Sequence, residues 1–418
     1  MNPVYIFIYD LAIKFYLLAI RVSSQFNPKA KQFIDGRKNL FSELKSTVNK
    51  NDYIVWMHCA SVGEYEQGRP VIEKLKAENE NIKVLLTFFS PSGYAQRKNS
   101  TDADYIFYLP IDTKKNAEEF IRIINPRLAI FVKYEFWLHH LNELKKENIP
   151  AILISGIFRK EQLFFNRFGK PFLSIIKSFN KIFVQDKNSL DLLSEFGLTN
   201  AVLSSDTRFD RVLQVKNNAK QFPEIEKFCR YNKIIIAGST WPDDEKILIQ
   251  FIQQQKNTEL KWIIAPHEIN EQYISTLVNQ LGEKAIRFSQ IQNSPSEKQF
   301  LVIDNIGMLS NIYRYGTIAY VGGGFGKGIH NILEAAVYGV PVLFGPNCKK
   351  FREANELILS QSCFSIQNKN EFTSKINQLL TDKNFYSQCS IGCSNYVKNS
   401  AGATEQIVQY INKEIFQK

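Results

Sequence analysis

From Tyr53 onward the chain alternates short β-rich apolar runs with amphipathic helical stretches, and it does so twice. The first series is YIVWMHC (53–59), KVLLTFF (83–89), YIFYLP (105–110), RLAIFVK (127–133), PAILISG (150–156), KIFVQD (181–186) and AVLSS (201–205). The second is KIIIAGS (233–239), KWIIAP (261–266), FLVID (300–304), TIAYVGG (317–323) and VPVLFG (340–345). Strands that are apolar throughout must be covered on both faces, and βα repetition supplies that cover. Each series therefore predicts an α/β, Rossmann-like domain with a parallel sheet. A chain of 418 residues has room for two or three domains of roughly 150 residues each. The expected organisation is an N-terminal membrane-associating helical segment (1–48), a first Rossmann-like domain (49–210), a linker (211–231) holding KNNAKQ and Pro223, a second Rossmann-like domain (232–400) and a C-terminal helix (401–418). Ligands of such a pair belong in the cleft between the domains, facing the strand C-termini. NSPSEKQ, from Asn293, reads as a surface loop.

The balance of 52 Lys and Arg against 41 Asp and Glu gives a formal charge of +11 and favours anionic partners: nucleic acid, anionic lipid or phosphorylated sugars. No concentrated Lys/Arg block with interleaved aromatics is present, which argues against nucleic acid. The six cysteines (59, 229, 348, 363, 389, 393) show neither CxxC spacing nor neighbouring histidines. They predict reduced thiols in the cytoplasm and no metal site, with Cys389 and Cys393 packing one helical turn apart. Val4 to Ile20 is nearly all apolar or aromatic, broken by Asp10 and Lys14, which with Arg21 make one narrow polar stripe. Signal-peptide flanks are absent. A spanning helix needs about 20 apolar residues without central charges. The expectation is a helix dipping into one leaflet, with Arg21, Lys29, Lys31, Arg37 and Lys38 near anionic headgroups. A helix packed on its own domain and a single span are the alternatives.

In WMHCASVGEYEQGRP (56–70) a strand runs into Ser61 to Glu64 and a helical pattern starts at once. This places the Glu64 carboxylate where open α/β sheets keep their chemistry. Glu135, in KYEFWLHH (133–140), occupies a similar strand-to-helix turn. Two such carboxylates can divide roles, one as a base and one holding a sugar or cationic partner; a solvated helix-start Glu is the plainer reading. Arg208, past the last strand of the first series, is placed to neutralise a leaving phosphate or is a surface arginine. In VGGGFGKGIHNILEAAVYGVPVLFGP (321–346) a strand ends in Gly322 to Gly324. Gly326 and Gly328 permit close approach to a ligand, and His330 or Asn331 opens a helix with free amides. Neither GxxxxGK[ST] nor GxGxxG fits, which disfavours ATPases and dehydrogenases. Glu334 lies where it can accept from ribose hydroxyls. Thr240 with Asp243 reads as a capping box, with a phosphate contact from Ser239 or Thr240 as a further option. Pro266 and His267 follow the next strand, where backbone groups can read a nucleobase edge.

Taken in order, SVGE (61–64), Glu135-x-Trp137, SDTRFD (205–210), GST (238–240), the Pro266–His267 pair, IDNIG (303–307) and the Gly322-to-Pro346 segment resemble the 3-deoxy-D-manno-octulosonic acid (Kdo) transferase family, from GRKNLF (36–41) to the final helix. The resemblance implies two Rossmann-like domains facing a cleft in the GT-B arrangement. It implies transfer of Kdo from CMP-Kdo, as donor substrate with no cofactor, to a lipid A precursor at the cytoplasmic face of the inner membrane. By position it implies Glu64 as general base, with Glu135 and Arg208 stabilising the transition state. CMP contacts would fall on Pro266 and His267, on Gly307, Met308 and Leu309, and on Asn331, Ile332, Leu333 and Glu334. Three departures stand out: Tyr134, Leu138 and His139 around Glu135-x-Trp137, Arg208 where Lys is common, and Ser205 in place of Gly. A sugar-nucleotide epimerase of similar build is the competing class, and it has no use for an apolar N-terminus.

Overall fold

The computed structural model describes residues 3–166, 169, 172–255, 260–292 and 297–417. It divides into two units, Met1–Arg211 with Ala401–Lys418, and Val212–Ser400. Residues 293–296 of the expected loop lie outside the described residues.

The first unit holds a seven-stranded sheet of β1 (Tyr53–Cys59), β2 (Ile82–Phe88), β3 (Tyr105–Tyr108), β4 (Leu128–Val132), β5 (Ala151–Gly156), β6 (Lys181–Val184) and β7 (Ala201–Leu203). Its spatial order is β3-β2-β1-β4-β5-β6-β7, and every pairing is parallel. All seven expected runs form strands; β1, β2, β4, β5 and β6 are buried almost throughout on both sheet faces, while the edge strand β7 leaves Leu203 exposed. Trp56 packs edge-on to Phe120 and Phe131 at 5.1 Å each on one face. Val55 and Met57 meet Tyr65, Val71 and Ile72 on the other. The order reverses between β1 and β4, so the turns after these two neighbours form the switch point where ligands of open α/β sheets bind.

The second unit repeats the plan with β8 (Lys233–Thr240), β9 (Leu260–Pro266), β10 (Ala285–Arg287), β11 (Phe300–Val302), β12 (Ile318–Val321), β13 (Val342–Phe344) and β14 (Cys363–Ser365), in the order β10-β11-β9-β8-β12-β13-β14. Its switch point lies between β8 and β12. The sequence reading misses β10 and β14, three-residue edge strands too short and too polar to carry a pattern.

Three segment expectations change. Residues 211–231 are no extended linker, since the helix Thr207–Asn217 runs through the unit boundary and Pro223–Cys229 forms another, burying Ile225 and Phe228. Residues 401–418 are part of the first unit. Ile407, Val408 and Ile411 join the core under β1 and β2, and Asp210 accepts from Gly402 N at 2.6 Å and Thr404 N at 2.7 Å. The helix Pro3–Ser23 is long and apolar enough to cross a membrane, yet Tyr5, Ile6, Tyr9, Asp10, Ile13, Leu17 and Ile20 are partly covered. Val4, Phe7, Ile8, Leu11, Phe15, Leu18 and Val22 point outward. Asp10 does not join a polar stripe with Lys14, because it faces inward to His139. Arg37 also leaves the expected headgroup set: it donates to the carbonyls of Phe33, Phe89 and Leu109 and lies over the Phe33 ring at 3.8 Å, burial pushing its pKa down to about 10.

Candidate active site

At the switch point of the first sheet, β1 ends at Cys59 and the helix Val62–Glu78 begins with Glu64 in its first turn. Glu64 completes a capping box: its Oε2 accepts from the backbone N–H of Ala60 and, at 3.2 Å, of Ser61. No described residue donates to Oε1. The carboxylate is thus fixed by one oxygen and offers the other. Burial, followed by the charge of Glu135, raises the Glu64 pKa above the ordinary Glu value, opposed by the Ala60 N–H, His58 and Lys133.

Glu135 is held by rings. Its Oε2 accepts from His58 Nε2 at 3.0 Å and Trp137 Nε1 at 2.8 Å. The plainer reading, a solvated helix-start Glu, is overturned, because the residue is only 9% exposed and the helix it precedes, Leu138–Lys146, has Trp137 as its N-cap. His58 and Thr87, which the sequence reading passes over, complete a relay across three neighbouring strand ends. Trp56 Nε1 donates to Thr87 Oγ1 at 2.8 Å, and Thr87 Oγ1 lies 2.9 Å from His58 Nδ1. The Glu135 carboxylate can only accept, which puts a proton on Nε2, while Nδ1 lies against both Thr87 Oγ1 and, at 3.2 Å, the Thr87 carbonyl. A signal existed, since a polar residue inside a continuously apolar strand must find a buried partner. Lys133, just before this turn, takes the left-handed φ of 63°, a backbone state that non-glycine residues hold where the surroundings enforce it.

Arg208 stands apart from this relay, in the first turn of the helix Thr207–Asn217 that follows β7. Its Nε donates to Asp206 Oδ2 at 2.8 Å, and its side chain is 28% exposed. Asp206 also accepts from Gln67 Nε2 at 3.0 Å, and Thr207 Oγ1 donates to the Gln67 carbonyl. The arginine turn is thereby strapped to the same helix that begins with Glu64. Burial would raise the Asp206 pKa, but Arg208 outweighs it and holds the carboxyl low. Ser205 adopts φ 71°, which explains why glycine suits this position.

The second unit gathers three rings at the ends of β8, β9 and β12. Trp241 stacks on His267 with centroids 4.5 Å apart, and His267 on His330 at 4.5 Å. Trp241 Nε1 donates to His330 Nε2 at 3.1 Å, which fixes that nitrogen as an acceptor. Burial and the neighbouring His267 lower the His330 pKa. Asp244, fully buried and not foreseen, ties these turns together: it accepts from Tyr320 Oη at 2.6 Å, Gly323 N at 2.8 Å and Trp241 N at 3.0 Å.

Several expectations for this unit are corrected. The capping box is Trp241 with Asp244, one residue later than Thr240 with Asp243. Thr240 is buried and donates its hydroxyl to Glu245 at 2.7 Å, so that proton is not offered to a phosphate, while Ser239 stays partly exposed at φ 52°. Gly322 to Gly324 serve packing: a Cβ on Gly322 would lie 2.3 Å from the Ser239 carbonyl, and one on Gly324 2.6 Å from Gly345 N. The helix after His330 is a single turn, Leu333–Ala336, too short for a dipole site. Its start is held by Asn331, whose Oδ1 accepts from Leu333 N at 3.2 Å and whose Nδ2 donates to Glu334 at 3.1 Å. Ile332, Leu333, Pro266 and Met308 are buried, Leu309 is partly so, and Gly307 is exposed at φ 92°. The His267 N–H is already donated to the Thr240 carbonyl at 2.9 Å, leaving its ring as the group that faces outward. Among the described residues, no cluster of three or more His, Cys, Asp or Glu side chains has metal-binding geometry.

The profile of the 3-deoxy-D-manno-octulosonic-acid transferase (kdotransferase) family matches residues 32–211, which lie in the first unit. A relative described as 3-deoxy-D-manno-octulosonic acid transferase, from Aquifex aeolicus, is 28% identical over 335 residues, 79% of this chain and 86% of its own. One of the same description from Chlamydia muridarum is 24% identical over 407 residues, covering 92% and 91%. Among solved structures, UDP-GlcNAc 2-epimerase from Neisseria meningitidis aligns with TM-score 0.61 at 15% identity, over 86% of this chain and all of that one. At such identity the alignment speaks for the fold alone, paired Rossmann-like domains of the GT-B kind. The first unit matches the Kdo transferase profile and relatives described as Kdo transferases span most of the chain, so the family this chain is similar to is that of the Kdo transferases, which are glycosyltransferases.

Proposed function

We propose that this protein transfers Kdo from CMP-Kdo to a lipid A precursor, lipid IVA, with inversion at the anomeric carbon and without a metal ion, at the cytoplasmic face of the inner membrane. The observation that carries this reading is the Glu64 carboxylate, anchored through Oε2, open at Oε1 and raised in basicity by burial and by Glu135. The acceptor hydroxyl gives its proton to Glu64 as its oxygen attacks the anomeric carbon. The bond from that carbon to the CMP phosphate oxygen breaks on the opposite side, and CMP departs with the electron pair. Glu135, fixed in place by hydrogen bonds from His58 and Trp137, stabilises the positive charge that develops on the sugar ring. Arg208, steadied by Asp206, offsets the charge of the departing phosphate.

The base of CMP is proposed to meet the outward His267 ring, with the turns at Gly307 to Leu309 and Asn331 to Glu334 contacting the nucleotide. The outward apolar face of Pro3–Ser23, with Lys14, Arg21, Lys29, Lys31 and Lys38, suits an anionic lipid surface and gives a sugar-nucleotide epimerase no advantage. Mass spectrometry of tetraacylated lipid A precursor incubated with CMP-Kdo tests the reading. Addition of Kdo by the wild type and its loss in Glu64→Gln are expected; no addition by the wild type, or full activity in the variant, refutes it.

A further inference from the structure

We infer that Tyr9 and Asp10 are positioning residues for Glu135, so that the N-terminal helix braces the active site as well as meeting a lipid surface. This rests on the reading of Glu135 given above. The helix has two faces with different chemistry. Outward lie Val4, Phe7, Ile8, Leu11, Phe15 and Leu18, all exposed and all apolar. Inward lie Tyr9 and Asp10, whose side chains hydrogen-bond Asp112 and His139 respectively.

The Leu138–Lys146 helix makes no hydrogen bond to the side chain of its own N-cap, Trp137. Its first amides are capped instead by a distant carboxylate, Asp112, which is 1% exposed. Asp112 Oδ2 accepts from His139 N at 3.0 Å, and Oδ1 from His140 N at 3.0 Å and from the His140 ring. The fourth donor comes from the N-terminal helix: Tyr9 Oη to Asp112 Oδ2 at 2.6 Å. Asp10 Oδ1 then holds His139 Nε2 at 2.6 Å, and the Tyr9 ring meets the His139 ring edge-on at 5.7 Å. A second line of contact runs through rings. Tyr16 stacks on Phe89 at 6.2 Å, and Phe89 packs against Trp137 at 4.7 Å. Trp137 is the residue whose Nε1 donates to Glu135.

Glu135 therefore sits on a turn whose following helix is capped by Asp112, and the N-terminal helix holds that cap through Tyr9 and the helix itself through Asp10. A simple anchor would need none of these bonds, because partition into lipid depends on apolar area, and that area is on the other face. Loss of the inward bonds lets the turn drift, and displacements near 1 Å around reacting groups cost up to about 100-fold in rate.

The two faces can be tested separately, with CMP-Kdo and tetraacylated lipid A precursor dispersed in detergent. Tyr9→Phe with Asp10→Ala is expected to lower kcat about tenfold, leave the KM for CMP-Kdo unchanged, speed hydrogen exchange at the His139 and His140 amides, and float normally with vesicles of phosphatidylethanolamine and phosphatidylglycerol. Phe7→Ser with Phe15→Ser and Leu18→Ser is expected to lose flotation and keep kcat in detergent. Tyr9→Phe alone keeps the ring packing and serves if the double variant does not fold. Wild-type kcat and exchange in both inward variants, or an equal kcat loss in the outward variant, overturns the inference. Glu135→Gln in parallel separates the two claims. Full activity there, with faster exchange in the Tyr9 variant, refutes the role of Glu135 and not the brace; lost activity there, with unchanged turnover in both inward variants, refutes the brace alone.

Discussion

Replacing His58 by Leu is the sharpest test of how the carboxylate pair is held. The imidazole is fully buried, so the substitution exchanges one buried side chain for another of similar bulk and removes one of the two ring donors to Glu135 Oε2, the one at 3.0 Å. A hydrogen bond to a charged group contributes about 1.5–3 kcal/mol. If that energy is spent on holding Glu135 for the transition state, kcat falls roughly 10- to 100-fold, at about 1.4 kcal/mol per factor of ten. If it is spent only on folding, the melting temperature falls by about 3–12 °C and kcat of the surviving enzyme stays put. His58→Gln decides between the two, since its amide can return an N–H towards Glu135 while Thr87 and Trp56 keep their places. The expected pattern is a large kcat loss in Leu, recovery to within several-fold in Gln, and little change in the KM for CMP-Kdo, read by single-turnover kinetics beside calorimetry. Wild-type kcat in the Leu variant, or a Gln variant as slow as Leu, refutes the relay.

Other outcomes follow from the same geometry. Glu64 must be ionised to take a proton, and its pKa lies above the ordinary value, so activity rises with pH through a limb above that of a free Glu side chain. Glu135→Gln removes one of the charges that raise it, so residual activity should show the limb at lower pH; a stationary or upward-moving limb contradicts the coupling. Ser205→Gly relieves a left-handed residue at φ 71°, a strain of about 1–2 kcal/mol partly offset by glycine's extra chain entropy of about 0.5–1 kcal/mol. Thermal melting should rise by a few degrees with turnover unchanged, and a fall in melting temperature contradicts the strain. Asp244→Ala strips the acceptor from Tyr320, Gly323 N and Trp241 N at once, at about 1–3 kcal/mol for each buried donor left unpaired. Proteolysis should then open the second unit before the first and CMP binding should weaken by calorimetry; a variant as protease-resistant as the wild type contradicts the assignment.

What the sequence determined by itself was the architecture. Continuous apolar runs at βα spacing can be buried only in a parallel sheet covered on both faces, and twelve such runs gave twelve of the fourteen strands. The same logic placed Glu64 and Glu135 at strand ends, because a helix start after a strand end is a local pattern. What the tertiary structure decided was which strand ends are neighbours and what each polar group touches. That β1 lies beside β4, bringing the two carboxylates together, follows from strand order, which no local pattern encodes. His58, Thr87, Asp112 and Asp244 matter through partners far away in the chain, so their signal was only the oddity of polar groups in apolar surroundings. The glycines after β12 looked like a ligand cradle and three of them proved to be sites of close backbone packing, since sequence shows where a side chain is missing and not what fills its place. The N-terminal helix shows the division most clearly: its composition announced an apolar surface, and only folding could turn Tyr9 and Asp10 inward to brace the turn that carries Glu135.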